Sequence, residues 1–443
     1  LNQAAAKSVE GQIFYDSRGG SYWWKLNATR YLPLSSGDVK NHLKRQGIVT
    51  DAKDDFGLSH GDRVLGTAQI ERHVDYAGPL AGHEAGFFTG QGGLRVLVTQ
   101  SVIAPEPGKS AKCPRWEKFL AELVGHHAPQ LETLLAWMKT AHDSLCAGDF
   151  RPGQMLTLAG PPDCGKSFLQ LLITQILGGR SAKPYRYMTG NTQFNYDLAG
   201  AESLIMGDEV GSFDIRTRRA FGEQIKDFVV NSEMSVHQKG RDARLLTTFR
   251  RLTMSVNNQP ESMMVLPPMN ESLMDKVTLL KCHKAELHED RKENWRGFMA
   301  ELPGFIALLK RWKVPRSVRQ TPESKRTGVD SFHHPELLEI LNDTSPEHRL
   351  DSLVLQAIEF QEPIAEWRGT AEELESALRS SKFGFAAEKI FNFSSAAGTY
   401  LSRLRTKYPD RYDARKRAGK TVWIIKPEKT ETNGHAQAVH KER

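Results

Sequence analysis

The sequence predicts an α/β protein: a parallel sheet flanked by helices, preceded by an α+β region and two amphipathic helices, and followed by a small helix-and-strand domain. Three observations predict it. Strand-like and helix-like runs alternate from about 150 to 285, the pattern of a parallel sheet whose strands are joined by helical crossovers. Within that block GPPDCGKS, residues 160–167, fills every fixed position of the phosphate-cradling pattern G-x-x-x-x-G-K-[ST], between a strand-like MLTLA and a helix-like SFLQLLITQIL. Residues 401–443 hold twelve Lys and Arg against five Asp and Glu, a surplus as large as the +7 of the whole chain, which suggests a basic module with an acidic partner such as nucleic acid.

The 443 residues exceed one ordinary core and, at roughly 150 residues per domain, suggest about three. No apolar run approaches the ~20 residues of a membrane helix, so no membrane association is expected. LNQAAAKSVE lacks the basic and apolar regions of a signal peptide, and the first residue is not Met, which suggests a fragment or a processed chain. Cys113, Cys146, Cys164 and Cys282 are far apart and show neither a disulfide framework nor zinc-site spacing, which fits a reducing cytoplasm.

Residues 1–112 form the N-terminal α+β region. GQIFYDSRGGSYWWKL places two aromatic-rich runs around a Gly-Gly turn and predicts a hairpin. LSSGDVKNHLKRQGI offers Ser and Asp as caps, a helical body, and Gly47 as a stop. From 51 to 112 only RVLVTQSVIAP stands out, as an extended run, and Asp51, Asp54 and Asp55 need no metal beyond a solvated acidic turn. PRWEKFLAELVG and QLETLLAWMKTAHDSLCAG, within 113–149, carry apolar residues at i, i+3 and i+4 and predict two helices forming a collar. The sheet domain spans 150–312 and ends in the helical ENWRGFMAELPGFIALLKRWKV. VPRSVRQTPESKRTGVDSFHHP, within 313–345, reads as a polar linker. A small domain follows over 346–427, and residues 428–443, polar and aperiodic, are expected to be disordered.

A Gly-rich turn between strand and helix lets backbone N–H groups close around phosphate oxygens, with the helix N-terminus adding favourable potential. Gly160, Pro161, Pro162, Asp163, Cys164, Gly165, Lys166 and Ser167 are therefore expected to hold a nucleoside triphosphate, taken as ATP with Mg²⁺. Lys166 would reach the β- and γ-phosphates and Ser167 would ligate the metal. ESLIMGDEV, residues 202–210, ends an apolar run in an acidic pair, in which Asp208 would hold Mg²⁺ and Glu209 would polarise the attacking water. RLTMSVNNQP ends a further strand in two amides. Asn257, with Asn258 second, is the candidate for orienting that water and sensing the γ-phosphate, against the plainer reading of a surface turn. From Gly160 to Asn257 is 97 positions, a compact set.

That ordered set resembles the superfamily 3 helicases of viruses, phages and plasmids, whose motifs lie close together on an AAA+-like P-loop ATPase sheet. The resemblance implies a hairpin between the second and third motifs that carries basic residues into the channel of a hexamer and grips DNA. SVHQKGRDARLLTTF, residues 235–249, has the form strand, Lys-Gly turn, strand, with His237, Lys239 and Arg241 near the tip and Lys239 foremost. More narrowly, the chain resembles the C-terminal half of phage- and poxvirus-type primase-helicases, in which a primase or primase-polymerase module precedes a linking region. Residues 1–112 would be that linking region, and they hold no primase-type acidic cluster. The resemblance also implies an arginine finger reaching a neighbouring subunit. NESLMDKVTLLKC offers Lys276 there, a point charge that cannot make the bidentate contact, with Arg250 and Arg251 as alternatives.

Residues 350–426 run helix, helix, helix, then two strands. Thr370 and Glu373 in WRGTAEELESALRSS have capping-box spacing, and SSAAGTYLSRLRTKYP is a capped helix carrying Arg403, Arg405 and Lys407. YDARKR and TVWIIKP, joined by Ala-Gly, would form a basic β-wing. The order resembles a winged helix, whose third helix enters a DNA groove, with a protein-docking domain as the alternative. Together these expectations describe an ATP-driven DNA helicase of a phage or other mobile element, translocating on single-stranded DNA as a ring-shaped oligomer and engaging forked DNA. An ATPase that assembles on DNA as a replication initiator or defence sensor without unwinding is the alternative. A nucleotide kinase has no use for the hairpin or the basic tail.

Overall fold

The structure, a computed structural model, describes residues 12–48, 50–207, 215–343, 345–357, 366–391, 393–417 and 419–427. The chain divides into two compact units, Leu1–Leu338 and Glu339–Arg443.

In the first unit the expected hairpin forms: Ile13–Asp16 pairs antiparallel with Ser21–Asn27, Tyr15 opposite Tyr22. Arg30–Leu34 extends the sheet on one side and His73–Val74 joins the other side in parallel. Ile13, Tyr22 and Trp24 are buried against Val39, Leu43, Val64 and Leu65 of two helices, Ser36–Arg45 and His60–Glu71. Both helices open with a capping box, Ser35 with Asp38 and Ser59 with Asp62. Asp54 closes a turn, accepting from the Phe56 and Leu58 amides, and pairs with Arg63, while Asp51 pairs with Lys44. A second small sheet follows, in which Arg95–Val98 lies between Tyr76–Gly78 and Gly86–Thr89.

The centre of the unit is a five-stranded, all-parallel sheet. Its strands are β1 (Met155–Gly160), β2 (Ser181–Ala182), β3 (Ser203–Met206), β4 (Arg251–Asn257) and β5 (Val277–Lys281), in the spatial order β5-β1-β4-β3-β2. Every residue of β1 and all but the last of β4 are buried. A strand covered on both faces shows a continuous apolar run rather than alternation, as MLTLA does. The helices expected before the sheet are Pro114–Val124 and Ala128–Ala147. Their Trp116, Phe119, Leu134 and Trp137 share one core with Leu169 and Ile173 of the helix after β1 and with Phe298 and Phe305 of Arg291–Arg311. Trp116 stacks on Phe305 at 4.2 Å and its indole N–H donates to the Phe298 carbonyl at 3.0 Å.

Both the N-terminal region and the segment from 313 pack with the central sheet. The N-terminal region belongs to the same compact unit as the sheet. Fully buried Glu202 accepts from the Gly82 amide at 2.8 Å and from Arg180 Nε at 2.9 Å, joining the N-terminal region to the strands. The segment read as a polar linker from 313 is, as far as 334, a folded strap along β5. The Leu279 amide donates to the Phe332 carbonyl at 2.7 Å and the His334 amide to the Leu279 carbonyl at 2.9 Å. Its polar residues hid this because they satisfy one another: Asp330 accepts from the Gln320 and Thr321 amides, while Val318 and Val329 enter the core.

The second unit has helices Pro346–Ala357, Ala371–Ser380, Gly384–Ile390 and Ala396–Lys407, and a sheet in which Lys420–Ile425 lies between Trp367–Gly369 and Tyr412–Arg417, antiparallel to both. The Thr370–Glu373 capping box is present. The strand Trp367–Gly369 is not legible in the sequence, where WRG reads as the approach to the helix that follows. The core gathers Leu350, Leu374, Tyr400, Leu401 and Ile425, and buried Asp351 accepts from Arg411 at 2.7 and 3.1 Å and from the Tyr412 hydroxyl.

Removing one partner from a buried ion pair leaves the other charge desolvated and alone, at a cost of about 3–5 kcal/mol. Glu202→Ala is therefore expected to lower unfolding free energy by about that amount, read from chemical denaturation followed by far-UV circular dichroism. A loss no larger than that of an exposed Glu271→Ala control would show that Glu202 does not tie the two regions.

Candidate functional site

The phosphate-loop pattern sits at the C-terminal end of β1, between β4 and β5, where an open parallel sheet forms its ligand crevice. Gly160 faces Asn257 across the sheet. A Cβ at Gly160 would stand 2.5 Å from the Cys282 carbonyl oxygen, so this turn admits no side chain. Gly165, at φ +112°, starts the helix Lys166–Ile176, and Asp163 has φ +54°, the sole non-glycine with positive φ among the described residues. Helix Pro114–Val124 supports the loop from behind, with Phe119 3.0 Å from the Cβ position of Gly165.

Lys166 is buried, and its ammonium donates to the carbonyls of Gly160 at 2.9 Å and Pro161 at 2.7 Å and to Asn257 Oδ1 at 3.4 Å. Two residues chosen from separate motifs thus meet. Pro161, Pro162, Asp163 and Ser167 are exposed, while Cys164 is buried. Gln170, buried on the same helix, donates to the Met206 carbonyl at 3.0 Å and to Thr253 Oγ1 at 3.1 Å, fixing the helix across β3 and β4. β3 ends at Met206, on the same sheet edge as Gly160 and Asn257. Asp208 and Glu209 lie outside the described residues.

A cavity of about 710 Å³ opens over the loop. Lys166, Ser167 and Asn257 line one side of it, and the other wall is a segment that sequence reasoning passed over, including His288, Glu289, Arg291 and Trp295. Buried Asn294 shapes that wall by accepting from the His288 amide at 3.0 Å and donating to the His288 carbonyl. The available signal was Asp290, which caps helix Arg291–Arg311 and so ends the preceding loop at the cavity.

The basic hairpin forms as Glu233–Val236 paired with Arg244–Thr247. It precedes β4 directly and therefore lies toward the N-terminal edge of the sheet, away from the phosphate loop. Lys239 is exposed beside Gly240, whose φ is +76°. His237 is half-buried, its amide donating to Asn195 Oδ1 at 2.7 Å. Arg241 is not a free tip cation, because it pairs at 3.0 Å with buried Asp16.

Arg250 and Arg251, the alternative fingers, are both packed inside the chain. Arg250 is buried and donates to the carbonyls of Phe228, Asn231 and Glu233 and to Thr248 Oγ1. Arg251 is buried over the Phe249 ring and donates to the carbonyls of Arg250 and Arg151. Lys276 stands just before β5, at the opposite edge from Gly160, and pairs with Asp275 at 2.6 Å. Asn258 is half-buried beside Asn257.

In the second unit Arg403 pairs with Glu347 at 3.1 Å, Arg405 pairs with Asp413 at 3.2 Å, and Lys407 lies over the Tyr408 ring. The strands beyond carry Arg415, Lys416, Arg417 and Lys420, all exposed.

If the loop takes a triphosphate, Lys166→Ala removes a charge-assisted hydrogen bond worth about 1.5–3 kcal/mol, so affinity for a non-hydrolysable ATP analogue with Mg²⁺ should fall roughly 10- to 100-fold by calorimetry. An unchanged affinity would place the nucleotide elsewhere.

Residues 158–268 match a model described as a family of unknown function, DUF5906. No curated protein matches the sequence. Among solved structures, an apo form of the NrS-1 C-terminal region aligns with a TM-score of 0.56 at 14% identity, over 94% of this chain and 96% of that one. A second apo structure, of NrS-1 residues 305–718, gives 0.54 at 15% identity over the same shares. An active helicase, Cch of SCCmec type IV, gives 0.39 at 10% identity over 94% and 92%. The chain is thus similar in fold to the NrS-1 C-terminal region along nearly its whole length.

Proposed function

We propose that this chain is an ATP-dependent DNA helicase of the superfamily 3 type, acting as a ring-shaped oligomer, with a hexamer as the first expectation. The observation that carries this reading is that one strand, β4, ends in Asn257 beside Lys166 and is preceded at its other end by the basic hairpin. A nucleotide pocket and a nucleic-acid hairpin joined by one buried strand suit a machine that moves the second in response to the first. Pocket size also fits, since about 710 Å³ lies within the range of small-molecule sites.

In this reading Lys166 leaves the loop carbonyls for the β- and γ-phosphates. Ser167 and Asp208 hold Mg²⁺, which offsets phosphate charge. Glu209 polarises water and Asn257 orients it, while Lys276 is the finger that remains. Trp295 and Leu287 offer apolar surface to the base. Lys239 meets the strand backbone, where a cation needs no sequence readout. The second unit acts as a winged helix on duplex or forked DNA. A primase or primase-polymerase module is the expected companion; the NrS-1 neighbour is itself named as a C-terminal region.

The test is ATPase activity and fork unwinding on the full chain. Glu209→Gln should retain ATP binding while hydrolysis falls roughly 100-fold, the scale of losing a preorganised catalytic group, and it should abolish strand displacement. ATP hydrolysis stimulated by DNA without any displacement by the native chain would favour an initiator or sensor instead. For the second unit, neutralising Lys416, Arg417 and Lys420 should flatten the duplex salt dependence by about 0.9 in slope for each cation that had paired with a phosphate. Neutralising Arg403 and Arg405, already paired, should flatten it less. An unchanged slope in the first variant would make this unit a protein-docking domain.

A further inference from the structure

The hairpin is fastened along its length to the N-terminal region. At its base the Phe249 amide donates to the Ala81 carbonyl at 3.0 Å, and His83 Nε2 meets the Thr247 carbonyl at 2.8 Å. On its flank Gln91 Nε2 donates to Glu233 Oε1 at 2.5 Å, while Asn195 Nδ2, from the sheet domain itself, donates to the Ser235 carbonyl at 2.8 Å. At the tip two ion pairs cross to the turn after Ile13–Asp16: Arg241 with Asp16 at 3.0 Å and Arg18 with Asp242 at 2.6 Å.

The Asp16 end is a built receptor. One carboxylate oxygen accepts from the Arg18 amide at 3.1 Å and the Gly19 amide at 2.9 Å, which leaves the other for Arg241. A Cβ at Gly19 would lie 2.3 Å from Arg241 Nη2, so a side chain there would push the guanidinium from its present place against the turn. Asp16 is 3% exposed, and screening by solvent is correspondingly weak. Lys239, by contrast, is exposed two residues away, with no acidic partner among the described residues.

We propose that Asp16 is a positioning residue of the nucleic-acid interface, one that holds and neutralises Arg241 so that the hairpin presents Lys239 as its phosphate-binding cation. The proposal rests on the reading that the hairpin grips single-stranded DNA. A cation already paired with a carboxylate displaces no counterion from DNA when it comes near a phosphate, so it adds nothing to the salt dependence of binding. A free cation adds about 0.7 to the slope of log K against log salt on single strands. The turn around Asp16 thereby sets how tightly the tip holds a strand, and keeps that grip weak enough for repeated release.

The experiment is fluorescence anisotropy of labelled oligothymidylate with the full chain over a series of KCl concentrations. Lys239→Ala is expected to flatten the slope by about 0.7, and Arg241→Ala to leave the wild-type slope unchanged. Asp16→Asn, whose amide oxygen can still accept from the Arg18 and Gly19 amides, should steepen the slope by about 0.7 by freeing Arg241. Arg241→Ala in the Asp16→Asn background should cancel that gain. A merely structural role for Asp16 would weaken binding and would not steepen the slope. If Asp16→Asn does not fold, the contrast between Lys239→Ala, which flattens the slope, and Arg241→Ala, which leaves it unchanged, still decides whether the carboxylate at Asp16 neutralises Arg241. Arg241→Ala flattening the wild-type slope as Lys239→Ala does, or a folded Asp16→Asn leaving it unchanged, would overturn the proposal while the hairpin reading stands. A Lys239→Ala variant indistinguishable from wild type would remove the hairpin reading and the proposal with it.

Discussion

Pairing of β4 with β1, which sets Asn257 opposite Gly160, is the constraint on which the rest of the first unit depends. Parallel neighbours cannot be joined by a tight turn, so the chain leaving β3 must return to the other end of the sheet before β4 begins. Helix Ile215–Val230 and the hairpin occupy that return. The seven residues of β4 then separate hairpin from phosphate loop by about 20 Å at ~3.3 Å per residue. A buried, hydrogen-bonded strand transmits displacement with little slack, since packed interiors deform poorly.

Features set by local chemistry were legible in the sequence. Gly160, Gly165 and Lys166 are required by the loop itself, and the Lys-Gly turn and the Thr370–Glu373 box declare themselves within four residues or fewer. Asn257 was legible because an apolar run has an end. What remained hidden depends on partners far away along the chain. Arg241 meets Asp16 across 225 positions, and nothing near either residue announces the pair. Arg250 and Arg251 look like any exposed basic doublet until the backbone carbonyls around them are in place. The wall formed by His288 to Trp295 carries no motif, because the wall of a cavity needs shape more than particular residue types.

The second unit shows the same division. Its helices follow from capping and apolar spacing, whereas the strand Trp367–Gly369 is three residues long and gains its partner only from Lys420–Ile425. Buried Asp351, held by Arg411 and Tyr412, ties the first helix to the last hairpin. The charge surplus read from composition was real, but composition could not tell paired cations from free ones. Arg403 and Arg405 are partly engaged in keeping the unit together, while the exposed strand tips carry charge available to others.

The strap from 313 to 334 has a consequence for handling the protein. β5 is an edge strand, and an uncovered edge of a parallel sheet offers unpaired amides and carbonyls to any other chain. Phe332 and His334 occupy those groups at Leu279, and the opposite edge, β2, is only two residues long. The sheet is thus protected from growing sideways by a segment that composition alone marks as dispensable. A fragment cut near 313 would expose β5 and tend to aggregate, whereas one ending beyond Leu338 would keep its edge covered and stay monodisperse.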